Sequence, residues 1–332
     1  MKIVVDAFGG DNAPHEILKG AAAAKAEYDI EIALTGKADV LLAEAKRLDI
    51  NIEGLELVEA PSIMEMSDEA KAAIRKKADS SMSVMLRMLA EGKADACVSA
   101  GPTGAYLMGA TTIVKRIKGV KRPALGAVMP GRNNPFILVD CGANAEVRPE
   151  MLEQFGLMGS IYMKNIYSVA APRVGLANNG AEEGKGTDLQ RAAYDLLQKN
   201  SAVNFAGNIE GRDIPEGACD VVVADGFTGN LILKTVEGMA ISVFSMLKET
   251  LTENFVSSVA AMMLKPGLKK LKKKMDYSEY GGAPLIGLTK PVVKAHGSSD
   301  ANAIKNAIRQ AMLWSAAGVT EEIAGAFGSG VR

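Results

Sequence analysis

His296-Gly297-Ser298-Ser299-Asp300 places a histidine, two hydroxyls and a carboxylate in five consecutive residues, just before a helical pattern. The chain has only two histidines. One lying between a strand and a helix start is either a hydrogen-bonded structural residue or an acid/base and phosphate ligand. The other, His15, follows Pro14 and reads as a surface helix residue. Four more polar loops follow short apolar runs. They are Asp6–Pro14 (with Gly9, Gly10, Asp11 and Asn12), Ser99–Gly104 (with Gly101 and Thr103), Asp140–Asn144 and Asp225–Asn230 (with Thr228). Free backbone N–H groups at glycine turns and helix starts attract anions. Thr228 and Asn230 could also donate to a developing oxyanion. Each loop has an ordinary reading beside this one, as a tight turn or a capped helix start. A fifth loop, Asn178–Gly186, offers Lys185 to neutralise a phosphate, or as a plain solvated lysine, and Asn178 at a strand end to orient a ligand.

Other chemistries lack their signatures. The first loop departs from the dinucleotide G-x-G-x-x-G fingerprint, and no P-loop or G-x-S-x-G elbow is present. A net charge of −1 over 332 residues gives no electrostatic case for nucleic acid. Cys97, Cys141 and Cys219 lie far apart in or beside apolar runs. That spacing fits buried small hydrophobes in a reducing cytoplasm, not a disulfide framework or a zinc site. The chain opens on a strand pattern with no signal-peptide pattern, and no unbroken run of 18 apolar residues is found, so no bilayer span is expected.

The elements that must position these loops alternate. Strands are expected at 2–5, 30–35, 55–59, 94–99, 173–178, 203–209 and 219–224. Helices are expected at 14–25, 38–47, 69–92, 103–117, 149–167 and 187–199, the last capped by Thr187. Residues 124–129 and 136–140 flank the turn Pro130–Pro135 and read as a hairpin. Such alternation predicts an α/β fold, a three-layer α/β/α arrangement with a largely parallel sheet covered on both faces. Ligands bind such sheets at the strand carboxyl ends, where the loops lie. With no break in composition, a single α/β domain over 1–332 is expected, with an inserted helical hairpin at about 236–274.

In that insert Val236, Met239, Ala240, Val243, Phe244, Leu247 and Leu251 recur at helical spacing. A second helix through Val256, Val259, Ala260, Met263 and Leu264 is expected to break at Pro266-Gly267, before the lysine-rich run 268–274. Two apolar-faced helices and a lysine cluster suit either a sister subunit or an anionic membrane surface, and the two are compatible.

Together with Tyr280-Gly281-Gly282-Ala283 and Lys294–Asp300, the runs Val5–Pro14, Ser99–Gly104, Asp140–Asn144 and Asp225–Asn230 resemble, in order and over nearly the whole chain, the fatty acyl-ACP:phosphate acyltransferases, the PlsX family. Phe8 stands where the family usually has methionine, Pro102 where it has asparagine, and Asn179 and Ala181 also differ from its usual residues. The resemblance implies a phosphotransacetylase or isopropylmalate dehydrogenase-like fold and a homodimer. It further implies peripheral attachment to the inner, cytoplasmic face of an anionic membrane. The implied reaction takes acyl carrier protein in its acylated form plus inorganic phosphate to acyl phosphate, for a downstream glycerol-3-phosphate acyltransferase in phospholipid synthesis. Phosphate is itself the nucleophile, so neither metal nor cofactor is expected. His296, Ser298 and Ser299 with Lys185 are then expected on the phosphate, and Asn230 and Asn178 on the thioester or oxyanion. Gly9, Gly10, Asp11, Asn12, Ser99, Gly101 and Thr103 would shape the pocket, with Asn144, Asp225 and Thr228 beside the substrate. Two other readings compete: a metal- and NAD-dependent dehydrogenase on the same fold, and a non-catalytic scaffold docked on a membrane.

Overall fold

The computed structural model describes residues 1–65, 67–70, 76–275 and 277–328. Its strands are β1 (Lys2–Asp6), β2 (Glu31–Gly36), β3 (Leu55–Glu59), β4 (Ala96–Ser99), β5 (Ala124–Met129), β6 (Phe136–Val139), β7 (Arg173–Asn178), β8 (Asn204–Glu210), β9 (Val221–Val223), β10 (Ala283–Ile286) and β11 (Val292–Lys294). Its α-helices are α1 (His15–Glu27), α2 (Ala38–Arg47), α3 (Ser81–Ala90), α4 (Thr103–Gly109), α5 (Pro149–Tyr167), α6 (Asp188–Lys199), α7 (Gly226–Thr252), α8 (Phe255–Met275), α9 (Ala301–Ala316) and α10 (Val319–Gly328).

The strands form one sheet in the order β3-β2-β1-β4-β11-β10-β5-β6-β9-β7-β8. Alternation along each strand builds two cores. Ile3, Val5, Ile137, Val139, Val221 and Val223 face one, with α1, α5 and α9 packed over them. Val4, Leu138 and Val222 face the other, against Met82, Met85 and Leu86 of α3 and Tyr106 of α4. A two-residue side-chain period with both faces apolar demands such double cover, and the expected three layers follow.

The sheet holds two parallel blocks. β3, β2, β1, β4 and β11 run one way; β6, β9, β7 and β8 run the other. Antiparallel pairing of β10 with β11 and β5, and of β5 with β6, reverses the sense between them. The loops therefore face one another across a cleft instead of lining a single edge.

Several elements depart from expectation. Of the 69–92 pattern, residues 71–75 lie outside the described residues, and the helix itself is Ser81–Ala90. Ser80 caps it, its Oγ accepting from the Ser83 N–H at 3.3 Å, and so fixes the start. The 103–117 helix is α4 followed by a π-turn over Ala110–Val114 that ends at Lys115, where φ is 73°. Its Thr-Thr-Ile-Val run is stiff at χ1, and Thr111 Oγ1 donates back to the Leu107 carbonyl at 2.7 Å. Pro266 does not end α8, which continues to Met275; proline deletes only one helical N–H. The side chains of Val256 and Val259 lie outside the described residues. α7 is long and apolar enough to cross a membrane by length and composition, and its most apolar window is unburied. The expectation that nothing here could span a bilayer is thus corrected for that helix: a few polar residues break the apolar run without lowering its average enough.

Candidate active site

Asp6 ends β1 buried among the loops that follow β1 and β4. Its carboxylate accepts from Ser99 Oγ at 2.7 Å and from the Phe8 N–H at 3.2 Å; Ser99 Oγ in turn accepts from the Gly101 N–H at 3.0 Å. Burial raises the Asp6 pKa against these hydrogen bonds. A Cβ on Gly9 would sit 2.6 Å from the Asp6 carboxylate and 2.7 Å from the Gly101 nitrogen, so only glycine lets the two loops close. The first loop then grips the histidine loop. The Asp11 N–H donates to the Gly297 carbonyl at 2.8 Å, and Asn12 Nδ2 donates to the carbonyls of Ser298 and Ser299 at 3.1 and 3.3 Å.

The opposite wall is built the same way. Buried Asp140 accepts from the N–H groups of Leu125, Gly142, Ala143 and Asn144 and from Asn144 Nδ2, all at 2.7–3.2 Å. Asp225 caps α7, accepting from the Thr228 N–H at 2.9 Å and from Thr228 Oγ1 at 2.7 Å. α7 can rest on the Asp140 loop because residues 226 and 229 are glycine: a Cβ there would lie 2.6 Å from the Asn144 oxygen and 1.9 Å from the Asp140 oxygen. The seated helix turns Asn230, Lys234 and Glu237, spaced i, i+4 and i+7, to one face.

Between these walls and against β5 lies a cavity of about 450 Å³. Asp11, Gly101, Thr103, Gly142, Asn230, Lys234, Glu237, Lys294 and His296 line it. Four distant loops and the histidine loop thus share one space. Asn178 and Lys185 do not line it. Asn178 borders a separate recess of about 510 Å³ on the far side of α7, with Thr228 and Ile232. The Asn178 amide is engaged within its own loop, donating to the Lys185 carbonyl at 3.2 Å and accepting from the Asn179 N–H at 2.8 Å. Half-exposed Lys185 lies 4.0 Å from Glu182. Ser99, Asn144 and Asp225 hold the walls together without lining the cavity. Ser298 and Ser299 border a smaller pocket of about 180 Å³ beyond His296.

The sequence reading relied on free amides at the loops and helix starts. Several are engaged: Ala301 donates to Glu16 and Ala303 to Asp300, both at 2.8 Å, and the Asp140 and Asp225 loops are satisfied as described. Side-chain donors face the cavity beside the uncapped start of α4 at Thr103. His296 Nδ1 lies 2.8 Å from Ser298 Oγ, and its Nε2 lies 3.5 Å from Lys234 Nζ. The Ser298 N–H donates to Nδ1 at 3.3 Å, and Lys234, an ammonium with only donors, faces Nε2, so each ring nitrogen meets a donor. Desolvation, then the Lys234 charge, lowers the His296 pKa and keeps that ring neutral. Lys234 pairs with Glu237 at 2.7 Å. Cys141 also borders the cavity, but burial raises its thiol far above the ordinary range and leaves it a poor nucleophile. All three cysteines are free and buried.

Lys234, Glu237 and Lys294 were not singled out by sequence. The i, i+4, i+7 polar stripe on an otherwise apolar helix was the available signal for the first two.

Glu237 also borders a second space, a groove of about 650 Å³ lined by Met129, Val236, Ile241, Phe244, Leu271 and Met275, with Arg132, Lys272 and Lys274 at its rim.

Comparison with known proteins places this architecture. The chain is 51% identical over 313 residues to a phosphate acyltransferase of Bacillus pumilus, covering 94% of this chain and 93% of that protein. It is 47% identical to one of Clostridium acetobutylicum over 97% of this chain and 98% of the other. Among solved structures, a phosphotransacetylase from Streptococcus pyogenes matches with a TM-score of 0.64 at 17% identity, covering 95% and 94% of the two chains, a likeness of fold. The model of the family described as fatty acid synthesis protein matches residues 1–322, and the chain belongs to that family, the PlsX family.

Proposed function

We propose that this chain is an enzyme that moves an acyl group from the thioester of an acyl carrier protein to inorganic phosphate. The observation that carries the reading is the shared wall at Glu237: Asn230, Lys234 and His296 face a cavity of about 450 Å³, with room for a phosphate and a thioester, that adjoins an apolar groove. The groove suits an acyl chain, and the cavity suits a phosphate beside a thioester carbonyl.

A phosphate oxygen attacks the carbonyl carbon, forming a C–O bond and a tetrahedral oxyanion. Collapse breaks the C–S bond and expels the carrier thiolate. The hydrogen of monohydrogen phosphate ends on that sulfur, so the products are acyl phosphate and free thiol. Neutral His296, which lines the cavity, carries the proton. Asn230 and Lys234 stabilise the oxyanion as donors held in place on α7. Asp11, Gly101 and Thr103 shape the phosphate side. Asn178 and Lys185, across α7, are assigned to the approach of the carrier-borne thioester. Ser298 positions His296, and Ser299 supports the same loop.

The dehydrogenase reading would require a cluster of acidic metal ligands, and among the described residues no such group of three gathers. The relatives also speak against it.

The hairpin of α7 and α8 exposes Ile241, Met262 and Met263 beside the lysines of 269–274. Such a surface supports a homodimer contact, attachment to the cytoplasmic face of an anionic membrane, or both. That placement would hand acyl phosphate directly to a glycerol-3-phosphate acyltransferase of phospholipid synthesis. One α/β domain carrying this hairpin accounts for the continuous sheet.

The test is thiol release from long-chain acyl carrier protein, with and without phosphate, with the product trapped as a hydroxamate. Phosphate-dependent release is expected. Release that ignores phosphate, or no turnover while vesicle binding persists, overturns the reading, the latter in favour of a scaffold.

A further inference from the structure

Lys294 ends β11 beside Ser99 of β4. Its side chain is only 9% exposed, yet it lines the 450 Å³ cavity. Its Nζ donates to the carbonyl of its neighbour Ala295 and lies 3.4 Å from the carbonyl of Ala100. An ammonium has three donors and no acceptor, and both partners here are neutral carbonyls. A buried cation with no paired carboxylate is costly to desolvate. The charges around it are Asp6 and Asp11 from the first loop, which attract it, and Lys234 from α7, which repels it; none of them forms an ion pair with it. His296 and Glu237 face the same cavity.

The other lysines compare poorly. Lys234 is largely neutralised by Glu237 at 2.7 Å and is half exposed. Lys185 lies beside the recess across α7, near Glu182. Lys294 is the buried cation of the cavity that keeps an uncompensated charge, two residues from His296 on a rigid strand end.

We propose that Lys294 is the cation that binds the phosphate substrate in this cleft, a role the sequence reading assigned to Lys185. The proposal rests on the acyl-transfer reading for the identity of the anion. An entering phosphate gives the buried ammonium the directly paired anion that Asp6 and Asp11 do not, and relieves the cost of its burial. Lys294 also fixes the side from which phosphate meets the thioester, since the Ala100 and Ala295 carbonyls tether it.

The pH behaviour follows. Burial pulls the Lys294 pKa down to about 8, with Asp6 and Asp11 opposing the shift and Lys234 adding to it. The ammonium is present below that value and lost above it. Phosphate affinity of the free enzyme therefore falls as pH rises through about 8. Arginine stays charged throughout, so Lys294→Arg keeps its remaining affinity over the same interval.

The experiment titrates inorganic phosphate into the full chain without acyl donor, reads the shift in thermal midpoint, and uses sodium chloride of equal ionic strength as the control. The proteins are wild type, Lys294→Met and Lys294→Arg. Transfer kinetics give KM for phosphate and for acyl carrier protein separately. Lys294→Met is expected to lose the phosphate-induced shift and to raise KM for phosphate by about tenfold or more, the order expected for a charged hydrogen bond, with KM for the acyl donor little changed. Lys294→Arg is expected to recover part of the affinity and to lose the limb near pH 8. If wild type shows no phosphate shift, or if Lys294→Met binds phosphate as wild type does, the proposal is overturned. If Lys294→Met does not fold, the pH limb of Lys294→Arg decides. Should thiol release prove independent of phosphate, the acyl-transfer reading fails, while the donor-free titration still reports whether Lys294 holds an oxyanion.

Discussion

Replacing Gly229 with alanine should damage this protein in a way that replacing Gly238, nine residues along the same helix, should not. A Cβ on Gly229 would lie 1.9 Å from the Asp140 oxygen, 3.0 Å from its carbonyl carbon and 3.3 Å from Cys141 Cα. All three are backbone atoms, so no side chain can swing away. Restoring ordinary contact at about 3.4 Å moves the start of α7 back by roughly 1.5 Å. Asn230, Lys234 and Glu237 move with it. Overpacking of this kind costs about 1–3 kcal/mol, of which the better helix propensity of alanine returns up to about 1 kcal/mol. A displacement of about 1 Å at reacting groups costs on the order of 10²-fold in rate. Gly229→Ala should therefore lower stability modestly and turnover by about two orders of magnitude. Gly238 has nothing within 4 Å of its would-be Cβ. Gly238→Ala should add about 0.5–1 kcal/mol from propensity alone and leave turnover near wild type. Urea unfolding midpoints and phosphate-dependent thiol release measure both effects. Wild-type turnover in Gly229→Ala, or stability moving in the same direction in both variants, would refute the claim that α7 is seated on the Asp140 carbonyl.

Further outcomes follow from the same geometry. His296→Ala should lower turnover by about 10²-fold or more with the fold intact by circular dichroism; a near-normal rate removes it from acid/base work. Because burial and Lys234 lower the His296 pKa, the neutral base persists below the ordinary histidine range and activity falls only as pH drops through that lowered value; Lys234→Gln should move the acid limb of kcat/KM upward. Asn12→Ala removes the donors to the Ser298 and Ser299 carbonyls. It should cost about 1–2 kcal/mol in unfolding free energy and lower kcat by loosening the His296 loop. Met263 is 81% exposed, so Met263→Glu should leave the thermal midpoint unchanged and weaken flotation with anionic vesicles; unchanged flotation would remove this part of α8 from membrane contact.

Local patterns reached nine of the eleven described strands and most helices, and missed β10 and β11. The β-branched runs at 3–5, 137–139 and 221–223 alternate between two cores, as doubly covered strands must. Pro130–Pro135 was readable as a turn, and it does reverse β5 into β6. Its larger consequence was not readable. β10 arrives from residue 283 to pair with β5 and β11, and this nonlocal pairing turns two parallel blocks against each other. The limits at the site have the same origin. Asn178 and Lys185 carry suitable chemistry, but α7 stands between them and His296. Lys294 reads in sequence as one more polar residue of a loop, and only packing against β4 desolvates it. Lys234 and Glu237 were hidden because a helix scan follows the apolar positions and passes over the polar minority.

The glycine loops do a different job from the one their composition invites. An amide cradle for phosphate needs unengaged N–H groups. Here Asp6, Asp140, Asp225 and Asp300 take up many of those groups. Each aspartate thereby locks a loop at a strand or helix end, and the glycines let the locked loops approach within backbone contact. The same carboxylates place negative charge behind the walls, which would repel a phosphate unless cations stood in front. Lys234 and Lys294 occupy the cavity side of those walls. Rigid acidic supports and cationic side chains aimed inward form a preorganised receptor for an oxyanion, in which little reorientation is needed when charge shifts from phosphate to the thioester oxygen. The acidic supports therefore make the lysines necessary, and removing either lysine should weaken anion binding more than removing a comparable surface cation.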